Sequence, residues 1–257
     1  MKTLVFNLNG TLAASNESLD DEMVVLLKKL LMVHNVAIIS GASWKHFNNK
    51  IITPLSNADL NKLYLLPTTG GSMYQVWGRY GWVATYQSKL DKRDVSRIQK
   101  AIDEAIEETG FEQPQRLWGK QVDDRETQIT FCVLGHKAPL EEKEKWDLDC
   151  SKRKPLAEAI AKKLVGSYDV RISGFNSIDI SLKDINKKYG IDELMKRLHI
   201  SKDDVIYIGN AIFKGGDDYA AVEMGLDNVP VQDPEDTKKW IRGMLDGTSN
   251  VKLEKVG

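Results

Sequence analysis

Cysteine is scarce: Cys132 and Cys150 are the only two in 257 residues. A disulfide framework is therefore excluded as the organising device, and a reducing compartment is the simpler expectation. Long apolar runs are also missing. The stretch Val24 to Val33 is broken by Lys28 and Lys29, and nothing reaches the ~18 apolar residues of a membrane span. No basic-then-apolar leader stands before the first strand-like segment, so a cytoplasmic protein without a membrane partner is expected. Charge of one sign is absent too. Lys plus Arg is 36 and Asp plus Glu is 37, a net of -1, which weighs against a nucleic-acid partner. Neither GxxxxGK nor GxGxxG occurs, so nucleotide loops of those types are not supported. His34, His46 and His199 lack metal-ligand spacing. Asn16-Glu17-Ser18 matches a glycosylation acceptor, which has no meaning without secretion.

What is present is a soluble composition, 42% hydrophobic and 28% charged, with ample material for a core. At about 150 residues per domain, the length fits one large domain or a core with an insert. Thr3-Leu-Val-Phe reads as a buried strand that runs into the polar turn Asn7-Leu-Asn-Gly-Thr11. Residues 19–33 have helical spacing, with Asp20, Asp21 and Glu22 where the helix dipole favours anions. Val36-Ala-Ile-Ile ends in Ser40-Gly41, and Leu63-Tyr-Leu-Leu-Pro ends at Thr69-Gly70-Gly71. This rhythm predicts an α/β fold with a doubly wound parallel sheet. From about residue 72 the rhythm breaks into a hairpin and a run of strands and helices. It returns near Lys187 and continues through Asp204-Val-Ile-Tyr-Ile and Gly209-Asn210. The expected division is a core of 1–80 and 184–257 with an inserted α+β cap of 81–183, and a frayed end over 246–257.

Ligands of open parallel sheets bind beyond the carboxyl ends of the strands. The residues there are Asn7, Asn9, Ser40, Thr69 to Gly71, Asn210, Asp217 and Asp218, with Lys187 opening a helix in the same half. Alternation along an extended strand end puts residues 7 and 9 on one side.

The segments NLNGTL, SGAS, Lys187-Lys-Tyr-Gly-Ile and GNAIFKGGDDY, in this order, resemble the motifs of the haloacid-dehalogenase superfamily of phosphotransferases. The match is closer to its phosphomannomutase-like and sugar-phosphatase branch, whose cap is inserted between the second and third motifs. The resemblance covers about residues 1–245. It implies Mg²⁺-dependent phosphoryl transfer on a phosphorylated sugar through an aspartyl phosphate, with a cap that closes over the crevice. Positions 7 and 9 would be nucleophile and general acid/base, Ser40 would bind phosphoryl oxygens, and Lys187 would neutralise charge. The metal would be held by residues 7, 9, 210, 217 and 218. Gly41, Gly70, Arg125, Arg153, Ser177 and Asp179 are the candidate substrate contacts.

Asn7 and Asn9 stand where the family has aspartates, and Asn210 where it has Gly-Asp. Asp217-Asp218 replaces the usual Asn-Asp, Asn186 a common Asp, and His136 an arginine of the mutase pattern. An amide keeps the size of a carboxylate but is neither a useful nucleophile toward phosphorus nor a general base. A natural phosphosugar-binding pseudoenzyme, a deliberately silenced enzyme and an aspartate misread as its isosteric amide all accommodate this. As written, the sequence is expected to be a very poor phosphotransferase. It sets no oligomeric state.

Overall fold

The computed structural model describes residues 2–15 and 17–248. Asn16 and the end beyond Thr248 lie outside them, so the glycosylation match and most of the expected frayed end are not described. In chain order the elements begin with β1 (Thr3–Asn7), α1 (Asp21–Val33), β2 (Asn35–Ile39), α2 (Trp44–Phe47), β3 (Leu63–Leu66), β4 (Ser72–Val76) and β5 (Trp82–Gln87). Then come α3 (Lys92–Thr109), β6 (Val122–Asp124), β7 (Gln128–Cys132), α4 (Leu140–Trp146), α5 (Arg153–Lys163), β8 (Tyr168–Ser173) and β9 (Ser177–Leu182). The chain continues with α6 (Lys187–Leu198), β10 (Val205–Gly209), α7 (Ala220–Glu223), β11 (Asp227–Pro230) and α8 (Pro234–Leu245).

Two compact units result: Met1–Gln87 with Asn186–Gly257, and Ser88–Ile185. The first holds a seven-stranded sheet in the order β11-β10-β1-β2-β3-β4-β5. Its first five strands are parallel, and β4 and β5 add on antiparallel. Every residue of β1 is buried, as a strand covered on both faces requires. Leu4 and Phe6 pack with Leu27 and Leu30 of α1 and Ile241 of α8. Val5 points the other way, to Ile191 and Leu194 of α6 and Ala221 of α7. Helix α1 starts where Asp20 accepts the Met23 N–H at 2.8 Å, an N-cap worth about 1 kcal/mol.

The expected boundary at 80/81 is corrected here. It would cut the β4–β5 hairpin, but both strands extend the core sheet, so the division falls after Gln87. The return lies at 185/186, two residues later than expected, because Asn186 is the N-cap of α6.

The second unit is a four-stranded antiparallel sheet, β6-β7-β9-β8. Ile129, Phe131, Ile178 and Ile180 share a core with Ile98 and Ile102 of α3 and Leu156 and Ile160 of α5. The alternate residues Gln128, Thr130, Asp179 and Ser181 are polar and also buried.

Candidate active site

Register places the strand tips together. Asn7 is level with Ile39, so Ser40 is the next residue beyond β2. Phe6 is level with Ile208, so Asn7 and Asn210 leave the sheet at the same edge. Lys187 joins them from 180 residues away as the first residue of α6, whose N-cap Asn186 accepts the Tyr189 N–H at 3.1 Å.

Lys187 is 2% exposed. Its Nζ donates to Asn7 Oδ1 at 3.2 Å and to Asp218 Oδ1 at 2.6 Å. Asp217 Oδ2 is also at 2.6 Å, from a side chain that is 64% exposed. Asp218 is fully buried and further held by the Tyr207 hydroxyl at 2.5 Å and the Ala211 N–H at 3.0 Å. Burial alone would lower the Lys187 ammonium, but Asp217, Tyr207 and Asp218 hold it well above its ordinary range. Burial pushes the Tyr207 phenol up; Lys187 opposes this and Asp218 adds to it.

Both shifts favour the protonated form in the folded state. Their stabilisation is complete below the unfolded values, 10.5 for Lys187 and 10.0 for Tyr207. It is lost as pH rises through the higher folded values. Thermal midpoints are therefore expected to hold between about pH 7 and 10 and fall above. A fall already complete by about pH 9 would contradict this pairing.

The amide of Asn7 completes the cluster. Its Nδ2 donates to Asn9 O and to Asn210 Oδ1, each at 2.9 Å. Thr11 Oγ1 donates to Asn210 Oδ1 at 3.2 Å. Gly10 lets the turn lie here: its φ is +75°, and a Cβ would stand 2.5 Å from Asn210 Nδ2. Asn9 Oδ1 is buried and accepts no hydrogen bond from the protein among the described residues.

Ser40 is buried, and its Oγ accepts the Ala42 N–H at 3.2 Å. Gly41 follows it in the same loop. Thr68, Thr69 and Gly70 are three successive left-handed residues (φ 52°, 58° and 84°). Two of them are not glycine, a strain that clusters at functional turns. The Thr69 N–H bonds Ser40 O at 2.8 Å and ties this turn to the β2 loop. Gly70, an expected substrate contact, packs against α6. A Cβ there would stand 2.7 Å from Gly190 Cα, so Gly70 is needed for the turn to pack on α6.

The remaining four expected residues lie in the second unit. Arg153 is corrected from ligand contact to framework. It is 1% exposed. Its Nε bonds Asp147 at 2.7 Å, and Nη1 bonds the carbonyls of Ser173, Gly174 and Ser177. Arg125 Nε bonds Asp123 at 2.8 Å. Burial pushes the Asp179 carboxyl up, while Arg125 and its hydrogen-bond partner Thr130 pull it down. Ser177 Oγ lies 3.6 Å from Cys132 Sγ.

Sequence reasoning missed Tyr207 and Thr11. Thr11 was visible as the hydroxyl of NLNGTL. Tyr207 was hidden as one more apolar residue of β10.

A divalent cation needs hard, preferably anionic, oxygens. At these strand tips the oxygens are amide and backbone carbonyls, and Asn7 Nδ2 donates into them. The two carboxylates are taken by Lys187. Among the described residues no group of three or more His, Cys, Asp or Glu could hold a metal. The residues present do not fit Mg²⁺.

A Rossmann-like core with an inserted antiparallel unit and a lysine drawn to the tip of the first strand defines a class. The chain belongs to the haloacid dehalogenase-like hydrolase family, whose profile matches residues 4–212, on its phosphomannomutase-like side. It is 23% identical to human phosphomannomutase 1 over 222 residues, 84% of this chain and 80% of that one. Among solved structures it is similar to N-terminally truncated, IMP-bound IMP-nucleotidase of Plasmodium falciparum. The TM-score is 0.63 at 17% identity, covering 96% of this chain and 68% of that one. A haloacid dehalogenase-like hydrolase from Bacteroides thetaiotaomicron also has TM-score 0.63, at 13% identity, covering 95% and 99%.

Proposed function

We propose that this chain binds a phosphorylated sugar at the strand tips of its core and does not transfer the phosphoryl group. The observation that carries this is the asparagine cluster. Lys187, Ser40 and the β1 turn meet at the sheet edge where the resemblance implies a phosphoryl-transfer site, but the residue at the implied nucleophile position is Asn7, whose amide oxygen accepts from Lys187. An amide at 7 cannot form the acyl phosphate, and an amide at 9 cannot pass a proton. Phosphatase or phosphomutase chemistry belongs to the aspartate form of this crevice.

The charge supports binding without metal. At positions 7, 9, 210 and 217 alone, leaving out Asn186, whose side chain caps α6, three carboxylates of the family's motifs have become amides and one amide has become Asp217. The net effect is a gain of two positive charges, the charge of one Mg²⁺. A phosphate dianion thus meets the same formal charge that an aspartate crevice offers with its metal bound. The named activities of the relatives, a phosphomannomutase and an IMP-nucleotidase, support a phosphate ester as the ligand class.

Calorimetric titration of a hexose 6-phosphate in EDTA is the test. Binding is expected, with affinity at least about tenfold weaker for the unphosphorylated hexose. Equal affinity for the two sugars would contradict the proposal.

A further inference from the structure

The orientation of the Asn7 amide is fixed by its neighbours. Its Oδ1 accepts from Lys187 Nζ, and its Nδ2 gives its two hydrogens to Asn9 O and Asn210 Oδ1 at 2.9 Å, with Thr11 Oγ1 a more distant acceptor at 3.5 Å. Turning the amide over would set an NH₂ against an ammonium and an oxygen against two carbonyl oxygens. The amide nitrogen therefore sits 2.9 Å from two oxygens on different strand tips and bridges them. Thr11 supplies a further hydrogen to one of them.

A carboxylate at position 7 has no hydrogens to give. Its second oxygen would face Asn9 O and Asn210 Oδ1 across the same short distances. Three acceptors would then share one hydroxyl hydrogen, that of Thr11, whose Oγ1 lies 3.2 Å from Asn210 Oδ1 and 3.5 Å from the position-7 atom, and a cation among them offsets the remaining repulsion. We propose that the Asn7 Nδ2 stands in the place of a divalent cation, so that this crevice is complete without metal. A single Asn7→Asp exchange is then enough to make it metal-dependent. The inference concerns the protein alone and holds whichever ester the crevice binds.

Thermal unfolding in EDTA and in MgCl₂, with Mn²⁺ binding read by EPR, tests it. The unchanged chain is expected to unfold at one temperature in both media and to leave the Mn²⁺ signal intact. Asn7→Asp is expected to lose about 3–8 °C in EDTA and to recover most of it in MgCl₂. Its Mn²⁺ affinity should exceed that of the unchanged chain by about tenfold or more. Asn7→Ala, which removes donors and acceptor together, should lose stability without recovery in MgCl₂. Sub-millimolar Mn²⁺ binding by the unchanged chain would overturn the proposal while leaving ester binding intact. So would an Asn7→Asp chain that is indifferent to MgCl₂. Should Asn7→Asp not fold in EDTA, refolding on addition of MgCl₂ supports the proposal and failure to refold counts against it.

Discussion

Asn7, Asn9 and Asn210 changed together to aspartate are expected to turn this chain into a Mg²⁺-dependent phosphatase. Release of phosphate from an aryl phosphate should rise at least about 10³-fold over the present sequence. The proposed site supplies the positions this chemistry would use. The tips of β1, β2 and β10 share one edge. Lys187 is buried beside residue 7, and Ser40 stands one residue past the β2 end. On the proposed reading, the exchanges restore charge and nucleophile at positions that already lie together. Groups that act as a unit fail together, so each single exchange is expected to stay near background. A triple variant that folds, takes up Mg²⁺ and remains silent would show that this crevice is not built for phosphoryl transfer at all.

The second large effect is on stability. Arg153→Met is expected to cost about 3–5 kcal/mol, because it leaves the buried Asp147 carboxylate without its cation. The loss goes beyond one ion pair. Arg153 also gathers three carbonyls around the β8–β9 turn, and its Nη2 bonds Asp147 O. Those carbonyls would lose the hydrogen bonds that the guanidinium gives them. Urea unfolding followed by circular dichroism measures the cost. A change below about 1 kcal/mol would mean that Arg153 is free to serve a ligand after all.

These two predictions mark where the sequence was readable and where it was not. The parallel core was legible because its strands are continuous apolar runs that each end in a polar turn. The same regularity points Asn7, Ser40 and Asn210 to one edge of the sheet, with Lys187 opening a helix in the same half. The hairpin misled the boundary because β5 alternates only weakly and carries no signal of which sheet it joins. Arg153 misled because an arginine fork suits a phosphate, and the sequence does not say that its partner is a buried carboxylate. Only the fold decides that this cation turns inward to Asp147. Tyr207 has the opposite problem. A tyrosine in an apolar strand reads as packing, and its hydroxyl acquires meaning only when Asp218 arrives at 2.5 Å.

The asparagines were plain in the sequence, but their mutual fit was not. Substitution one by one would leave unmatched donors and acceptors. Here the donor at 7 meets acceptors at 9 and 210.

The most direct test is a ³¹P NMR spectrum of a hexose 6-phosphate incubated with the unchanged protein, first in EDTA and then in excess Mg²⁺. The ester line should broaden on adding protein in both media, with no growth of inorganic phosphate or of a second ester. A growing product line in Mg²⁺, from protein whose mass confirms asparagine at 7, 9 and 210, would contradict the account.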